Sequence, residues 1–143
     1  MAALCKRLCE EVGTDILSVG GVGIACPGTV NPDTGYVEYA NNIKFFDFPL
    51  VELFSKYSGV EKSKITIGND ANLAAYGEAV AGAAKGTSSS VTITLGTGVG
   101  SGVIIGGKML TGCAHGGAEI GHTVIVKDGR PCTCGRHGCF EVY

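Results

Sequence analysis

The sequence predicts an α/β fold, and three observations support this prediction. Val22-Gly-Ile-Ala-Cys26 is an apolar run that ends at Pro27-Gly28, which is typical of a strand buried on both faces in a parallel sheet. The alanine-rich residues 71–84 favour a helix. Of the 24 glycines, 13 lie between residues 96 and 138, where short apolar runs separated by glycines indicate antiparallel strands and tight turns.

The first half of the chain is predicted to mix helices with short strands. Leu4, Leu8 and Val12 recur at helical spacing among charged residues, so residues 2–12 are predicted to form an amphipathic helix that Gly13 ends. Residues 29–48, with turn-forming Asn31-Pro32-Asp33, are predicted to be loop. The further predicted elements are a helix over 50–57, opened by Pro49, and a strand over 64–68.

The second half is predicted to contain strands linked by glycine turns. The predicted strands cover residues 91–95, 99–105, 108–110 and 122–126. A loop over 86–90, Gly-Thr-Ser-Ser-Ser, is a plausible hinge. The predicted domain organisation is therefore residues 1–86 and residues 87–143.

Composition excludes several classes of protein. The net charge is −2, from 11 basic and 13 acidic residues, so this segment has no basic surface suited to nucleic acid or an anionic membrane. No apolar run approaches the roughly 20 residues of a membrane helix. Charged residues interrupt the N-terminal apolar positions, which argues against a signal peptide. We therefore expect a cytoplasmic protein.

Three of the seven cysteines lie close together near the C-terminus. Cys132, Cys134 and Cys139 fall within eight residues, and Gly135 and Gly138 give the backbone freedom to fold around one ion. Zinc prefers four nitrogen or sulfur ligands in a tetrahedron. The candidates for the fourth ligand are His115, His122 and His137, and spacing alone does not choose among them. The pattern is not Cys-x-x-Cys, which argues against a thioredoxin-like redox pair.

A glycine-rich turn follows the strand predicted at residues 91–95. Thr94-Leu-Gly-Thr-Gly-Val-Gly-Ser-Gly102 could direct backbone amides at phosphate oxygens, although a plain hairpin has a similar pattern. The segment does not fit the dinucleotide pattern G-x-G-x-x-G. Residues 102–108 fit the start of a P-loop, but Met109 stands where Ser or Thr is required, so we interpret this match as accidental.

Several charged residues occupy this apolar, glycine-rich region. Asp70 follows a predicted strand and precedes a helix, a position suited to a helix cap or to a general base at a cleft. Glu119 and His122 share a face if their segment is helical, and Glu141 follows the cysteine cluster. The positions of these charged residues are about equally consistent with exposure at the surface and with a functional site.

Together these segments resemble the ROK family of sugar kinases and sugar-responsive repressors. The resemblance lies in Leu95-Gly-Thr-Gly-Val-Gly-Ser-Gly-Val-Ile-Ile105, Gly117-Ala-Glu-Ile-Gly-His122 and Cys132-x-Cys-Gly-x-x-Gly-Cys-x-Glu141, in this order. Residues 22–28, Asn41-Asn42 and Gly68-Asn-Asp-Ala-Asn72 are similar to upstream segments of the family. The resemblance implies an incomplete actin-like ATPase (ribonuclease H-like) fold, made of the end of the N-terminal lobe and the start of the C-terminal lobe.

The resemblance also implies residue roles for an ATP-dependent hexose kinase of the glucokinase type. Asp70 would be the base that accepts the proton of the attacking sugar hydroxyl. The implied sugar-binding residues are Asn69, Asp70, Glu119, His122 and Glu141. The implied ligands of a structural zinc are His122, Cys132, Cys134 and Cys139. The implied contacts to ATP phosphates, which Mg²⁺ would bridge, are Gly96, Thr97, Gly98 and Gly100.

Two alternatives accompany the kinase interpretation. Some ROK proteins are repressors that carry a helix-turn-helix before the same core and bind sugar without turnover, and a zinc-stabilised fragment without activity is the other alternative. The family's N-terminal phosphate loop has no counterpart here, so we expect this segment alone not to phosphorylate sugar and to be poorly stable. The resemblance implies a homodimer for the parent protein, and the identity of the hexose is left open.

Overall fold

The computed structural model describes residues 1–40 and 43–143, which divide into two compact units, residues 1–69 and 70–143. Asn41 and Asn42, quoted above for the resemblance, lie outside the described residues. The boundary predicted after residue 86 separates the two lobes expected in a longer parent protein, not these two compact units, and it stays a prediction.

A two-stranded parallel sheet lies in the first unit. Strands β1 (Val22–Cys26) and β5 (Ile65–Asn69) pair in register from Val22 opposite Ile65 to Cys26 opposite Asn69. Parallel pairing confirms the prediction from the apolar run. The expectation that both faces of β1 are buried is wrong, because side chains alternate across a strand and only the face with Ile24 and Cys26 is buried.

The predicted helices of the first unit are present, but one presents an unexpected face. Helix α1 (Ala2–Glu11) buries Ala2 and packs Cys5 and Cys9 on the core, while Leu4, Leu8 and Val12 are exposed. The spacing of the leucines therefore predicted the helix correctly and its buried face wrongly. Helix α2 (Leu50–Ser58) follows Pro49 as its N-cap and buries Leu50 and Phe54. Short 3-10 helices cover Ile16–Ser18 and Lys62–Lys64.

Residues 29–48 contain strands, so the loop prediction was wrong. Strands β2 (Thr29–Asn31), β3 (Tyr36–Ala40) and β4 (Phe45–Phe48) form an antiparallel sheet in that order. The turn residues that suggested a loop form only the β2–β3 connection, where the Asn31 side chain accepts the backbone N–H groups of Asp33 and Thr34. In β3 the side chains of Val37 and Ala40 are fully buried, which ties the hairpin to the core of this unit.

The second unit is a helix packed on an antiparallel sheet. Helix α3 (Asp70–Ala81) contacts β6 (Ser90–Leu95) and β7 (Val99–Ile105), and β8 (Lys108–Met109) pairs with β7. The helix approaches closely because Gly100 and Gly102 face it: a Cβ on Gly102 would lie 2.9 Å from the Ala71 carbonyl oxygen. Glycines in β7 thus bring the start of α3, with Asp70, beside the sheet.

The segment after β8 is held by turns rather than by strands. Residues 122–126, predicted as a strand, contain only the isolated bridge between Val124 and Cys139, so that prediction was wrong. Val124, Ile125 and Val126 are all exposed, and the amide of Ile125 donates to Gly138 in the cysteine-rich segment. Short 3-10 helices cover Ile120–His122 and Phe140–Val142. Among the described residues, no helix combines the length and apolarity needed to cross a membrane.

Candidate metal centre and the adjoining carboxylate cluster

The second unit brings four potential metal ligands together. His122, Cys132, Cys134 and Cys139 each offer a ligand atom, and these atoms all lie within 4.8 Å of one another. Cys132 and Cys139 are buried, Cys134 is exposed, and His122 is half-buried. Of the three histidines that spacing left open, His122 lies with the cysteines, and among the described residues neither His115 nor His137 belongs to this group.

The backbone around these cysteines is a compact knuckle. The amide of Cys132 donates to Arg136 at 2.8 Å, and the amide of Gly135 donates to Cys132 at 3.0 Å. Gly135 and Gly138 have φ values of 86° and 77°, a left-handed conformation that favours glycine. Both glycines therefore serve the role predicted for them, which is to let the chain turn back on itself between the cysteines.

The separations within the cluster fit tetrahedral coordination. The sulfurs of Cys134 and Cys139 are 3.6 Å apart, and Cys132 Sγ is 3.6 Å from His122 Nδ1. Zinc–sulfur bonds of about 2.3 Å place two ligands of a tetrahedron about 3.7 Å apart. A disulfide would require about 2.05 Å between sulfurs. The donor set and its spacing therefore fit a structural metal with nitrogen and sulfur ligands.

The thiols of Cys132 and Cys134 have pKa values shifted in opposite directions. Burial and a hydrogen bond to Glu141 raise the pKa of Cys132 to about 12. Hydrogen bonds from the backbone and side chain of Arg136 lower the pKa of Cys134 to about 6. Arg136 also donates to the His122 carbonyl oxygen at 3.0 Å, so this one side chain stabilises two of the candidate ligands. Sequence reasoning gave Arg136 no role.

A cluster of carboxylates adjoins the candidate metal ligands. Glu141 Oε1 lies 3.4 Å from His122 Nδ1 and accepts the Cys132 thiol at 2.9 Å. The side chains of His122 and Glu141 are only 28% and 15% exposed. Desolvation raises the pKa of Glu119; the nearby His122 opposes this shift, and the negative charges of Asp70 and Glu141 add to it. The predicted residues Asp70, Glu119, His122 and Glu141 thus belong to one electrostatically connected cluster.

Asn69 and Asp70 lie at the end of β5 and the start of α3. Asn69 closes the first unit, where its amide donates to the Gly28 carbonyl oxygen at 3.0 Å. Asp70 opens the second unit as the first residue of α3, and its Oδ1 accepts the amide of the next residue, Ala71, at 2.9 Å. The Asp70 side chain is exposed, which leaves it accessible to a ligand.

The glycine-rich turn connects β6 to β7 beside Glu141. The amide of Gly96 donates to the Gly98 carbonyl oxygen at 3.0 Å, so this amide is used within the turn. A Cβ on Gly98 would lie 2.7 Å from Glu141 Oε2, which shows how closely the turn approaches this carboxylate. Gly100 faces Ala71 of α3, so helix packing is a sufficient reason for glycine at that position.

Sequence reasoning also missed Ser101, a buried residue in β7. Its hydroxyl donates to the Ala118 carbonyl oxygen and accepts the Ile120 amide at 2.9 Å, and these two groups flank Glu119. The sequence analysis placed Ser101 in the glycine-rich motif and in a predicted strand, and gave its hydroxyl no role. The described residues also line a cleft of about 430 Å³ in the first unit, near Lys6, Asp15 and Ser58, and this cleft contains none of the predicted site residues.

Comparison with known proteins finds a family model and several sequence relatives that match this chain. The ROK family model matches residues 3–143. The glucokinase of Halalkalibacterium halodurans is 44% identical over 142 residues, which cover 97% of this chain and 41% of the relative. The xylose repressor of Bacillus subtilis is 36% identical over 86% of this chain and 31% of its own length.

A solved structure agrees with this result. The ROK family glucokinase from Streptomyces griseus, solved in complex with glucose and AMPPNP, matches with a TM-score of 0.78 at 37% identity. The match covers 99% of this chain and 45% of that one, so the chain spans less than half the length of these relatives. The α/β architecture is part of the actin-like ATPase fold, and the chain belongs to the ROK family.

Proposed function

We propose that this chain supplies the sugar-binding centre of an ATP-dependent hexose kinase of the glucokinase type. The observation that carries the proposal is the position of His122, whose Nδ1 lies 3.6 Å from Cys132 Sγ and 3.4 Å from Glu141 Oε1. An imidazole shared in this way by a candidate metal centre and a carboxylate cluster is suited to holding a polyhydroxylated ligand in one orientation.

The proposed sugar contacts come from Glu119, His122 and Glu141, with Asn69 and Asp70 completing the set. Carboxylate oxygens accept hydrogen bonds from sugar hydroxyls, and an imidazole N–H donates one. A site built in this way discriminates strongly, because an analogue that lacks a hydroxyl leaves a buried polar group unpaired. The 44% identical glucokinase supports glucose as the first substrate to test.

The proposed role of the metal is structural. His122, Cys132, Cys134 and Cys139 would hold Zn²⁺, which would supply a fixed, closed ligand set rather than an activated water. A metal bound to Nδ1 of His122 would leave Nε2 to carry the proton and would fix the tautomer of the ring. His122 can then donate to a sugar hydroxyl.

The proposed base is Asp70. It would accept the proton of the hydroxyl that attacks the γ-phosphate, in an in-line transfer where positioning and charge neutralisation supply most of the catalysis. The turn at Gly96, Thr97, Gly98 and Gly100 would contact the ATP phosphates with Mg²⁺ between them. Since the Gly96 amide is used within the turn, we expect Thr97 and Gly98 to make the closer contacts. Dimerisation of the parent and a cytoplasmic location stay predictions.

A second candidate function is the sugar-sensing core of a repressor. The 36% identity to the xylose repressor of Bacillus subtilis favours this alternative. Both functions use the same sugar site, so sugar binding alone does not separate them, and phosphoryl transfer does.

A chimera tests the proposed function. Residues 3–143 would replace the matching segment of the Halalkalibacterium halodurans glucokinase, which is 44% identical. The expected result is ATP-dependent glucose phosphorylation that falls about 10²–10⁴-fold in the Asp70→Asn chimera, while glucose affinity changes little. Asp33→Asn, in an exposed turn, is the matched control. A folded chimera that binds glucose without turnover would favour the repressor core instead.

A further inference from the structure

We propose that Ser101 is a positioning residue that fixes the Glu119 carboxylate for sugar binding. The inference rests on the proposed function, in which Glu119 contacts the hexose. It concerns a hydroxyl in the middle of β7, outside the cysteine knuckle and outside the set of proposed sugar contacts.

Glu119 occupies a tight and specific backbone turn. Its φ and ψ are −76° and 67°, and the Ile120 amide donates to the Ala118 carbonyl oxygen at 2.9 Å. These values describe an inverse γ-turn centred on Glu119. The preceding residue, Ala118, has a φ of 65°, a left-handed conformation that is unfavourable for a residue other than glycine. A turn of this kind persists only where its surroundings hold it.

The Ser101 hydroxyl holds both ends of that turn. It donates to the Ala118 carbonyl oxygen and accepts the Ile120 amide at 2.9 Å, so donor and acceptor are both used. The side chain is only 5% exposed, which protects these bonds from competition by water. These two hydrogen bonds hold the residues on either side of Glu119, Ala118 and Ile120.

The location of Ser101 makes this support rigid. Side chains alternate along a strand, so Ser101 projects from the face of β7 opposite to Gly100 and Gly102, which face α3. Ser101 pairs with Ile93 in the middle of the β6–β7 ladder. The sheet therefore fixes the hydroxyl, the hydroxyl fixes the turn, and the turn directs Glu119.

The test compares D-glucose affinity among variants of the zinc-loaded 143-residue chain, measured by isothermal titration. The variants are Ser101→Ala, Glu119→Gln, the double variant and Ser90→Ala. Ser90 is a matched control, because its buried hydroxyl lies in neighbouring β6 and, within the described part of the chain, has no hydrogen-bond partner. The rate of hydrogen exchange at the Ile120 amide measures the stability of the turn at Glu119 independently of sugar binding.

The expected result is a weakening of glucose binding of about tenfold in Ser101→Ala, with an unchanged metal content and faster exchange at Ile120. Because Ser101 acts through Glu119, the double variant should bind glucose within about twofold of Glu119→Gln alone, and Ser90→Ala should match the wild type.

Four results would overturn the inference. The first is a loss of glucose affinity in the double variant equal to the product of the losses in the two single variants. The second is wild-type glucose affinity in Ser101→Ala while Glu119→Gln binds glucose more weakly. Either result would exclude positioning through Glu119 and leave the proposed function standing. Unfolding of Ser101→Ala would assign the hydroxyl a purely structural role. Wild-type affinity in Glu119→Gln would overturn the proposed sugar contact, and the positioning role with it.

Discussion

Nδ1 of His122 lies 3.6 Å from the sulfur of Cys132. The same ring is in contact with Glu141, whose Oε1 is 3.4 Å from that nitrogen. One imidazole therefore links the three cysteines of the candidate metal centre to the carboxylates proposed to bind sugar. Because the two clusters share this residue, a change in one should be detectable in the other, and the predictions below use that dependence.

The first prediction concerns the cysteine cluster. We expect the purified chain to bind one zinc ion and to lose more than about 3 kcal/mol of unfolding free energy when the ion is removed, since metal binding of this kind stabilises the folded state directly. Elemental analysis and urea unfolding with and without a chelator measure both quantities. Cys139→Ser should abolish binding, and the exposed Cys113→Ser is its control. Equal stability with and without metal would contradict the prediction.

The second prediction separates His122 from His137. His122→Asn removes a ligand, so we expect zinc affinity to fall at least about 100-fold and glucose binding to be lost with it. His137→Asn, an exposed neighbour in the same knuckle, should leave both unchanged. Competition with a chromophoric chelator measures the zinc affinity. A larger loss in His137→Asn than in His122→Asn would show that the ligand set is assigned wrongly.

The third prediction follows from the raised pKa of Glu119, which desolvation causes and the charges of Asp70 and Glu141 increase. The folded chain holds this proton to higher pH than the unfolded chain does. The stabilisation that protonated Glu119 gives the folded state is thus complete below the unfolded-state pKa of about 4.3. It is lost as the pH rises through the raised folded-state pKa.

Glu119→Gln keeps the shape of the side chain without the charge. We therefore expect the variant to gain stability relative to the wild type between pH 5 and pH 7.5, while its glucose affinity falls. Urea unfolding of the zinc-loaded proteins at both pH values measures the change, with the exposed Glu10→Gln as control. A stability difference that stays constant with pH, or reverses, would count against this account of Glu119.

The fourth prediction concerns the packing of α3. A methyl group on Gly102 would be forced against Ala71 and Ala75, so Gly102→Ala should destabilise the chain by about 1–3 kcal/mol. A Cβ on Gly77, in the same helix, would meet no atom within 4 Å, so Gly77→Ala should stabilise by about 0.5–1 kcal/mol. Thermal unfolding of both variants gives the comparison. Destabilisation of equal size in the two would refute the packing argument.

The sequence predicted the elements that local patterns determine. Short-range signals indicated that β1 belongs to a parallel sheet, that a glycine turn joins β6 to β7, and that Cys132, Cys134 and Cys139 lie close together, and the structure confirms all three. The strands in residues 29–48 were missed because turn residues dominated the interpretation, although Tyr36 to Ala40 combines β-forming residues with two fully buried positions.

What the sequence did not predict depends on contacts between distant residues. Residues 123–126 are rich in β-forming side chains, yet the amides of Ile125 and Val126 donate to the Gly138 carbonyl oxygen in the cysteine knuckle rather than to a strand. Cys5 and Cys9 of α1 pack on the core in place of its leucines, because tertiary packing and not spacing selects the buried face. The roles of Ser101 and Arg136 depend likewise on segments that meet only in the folded chain.

An NMR titration of the isotopically labelled, zinc-loaded chain with D-glucose tests most directly whether His122 organises a sugar site. We expect the shifted amide signals to concentrate on Asp70, residues 119–122 and Glu141. Absence of shifts at these positions, or shifts confined to the cleft near Lys6, Asp15 and Ser58, would contradict a sugar site organised by His122.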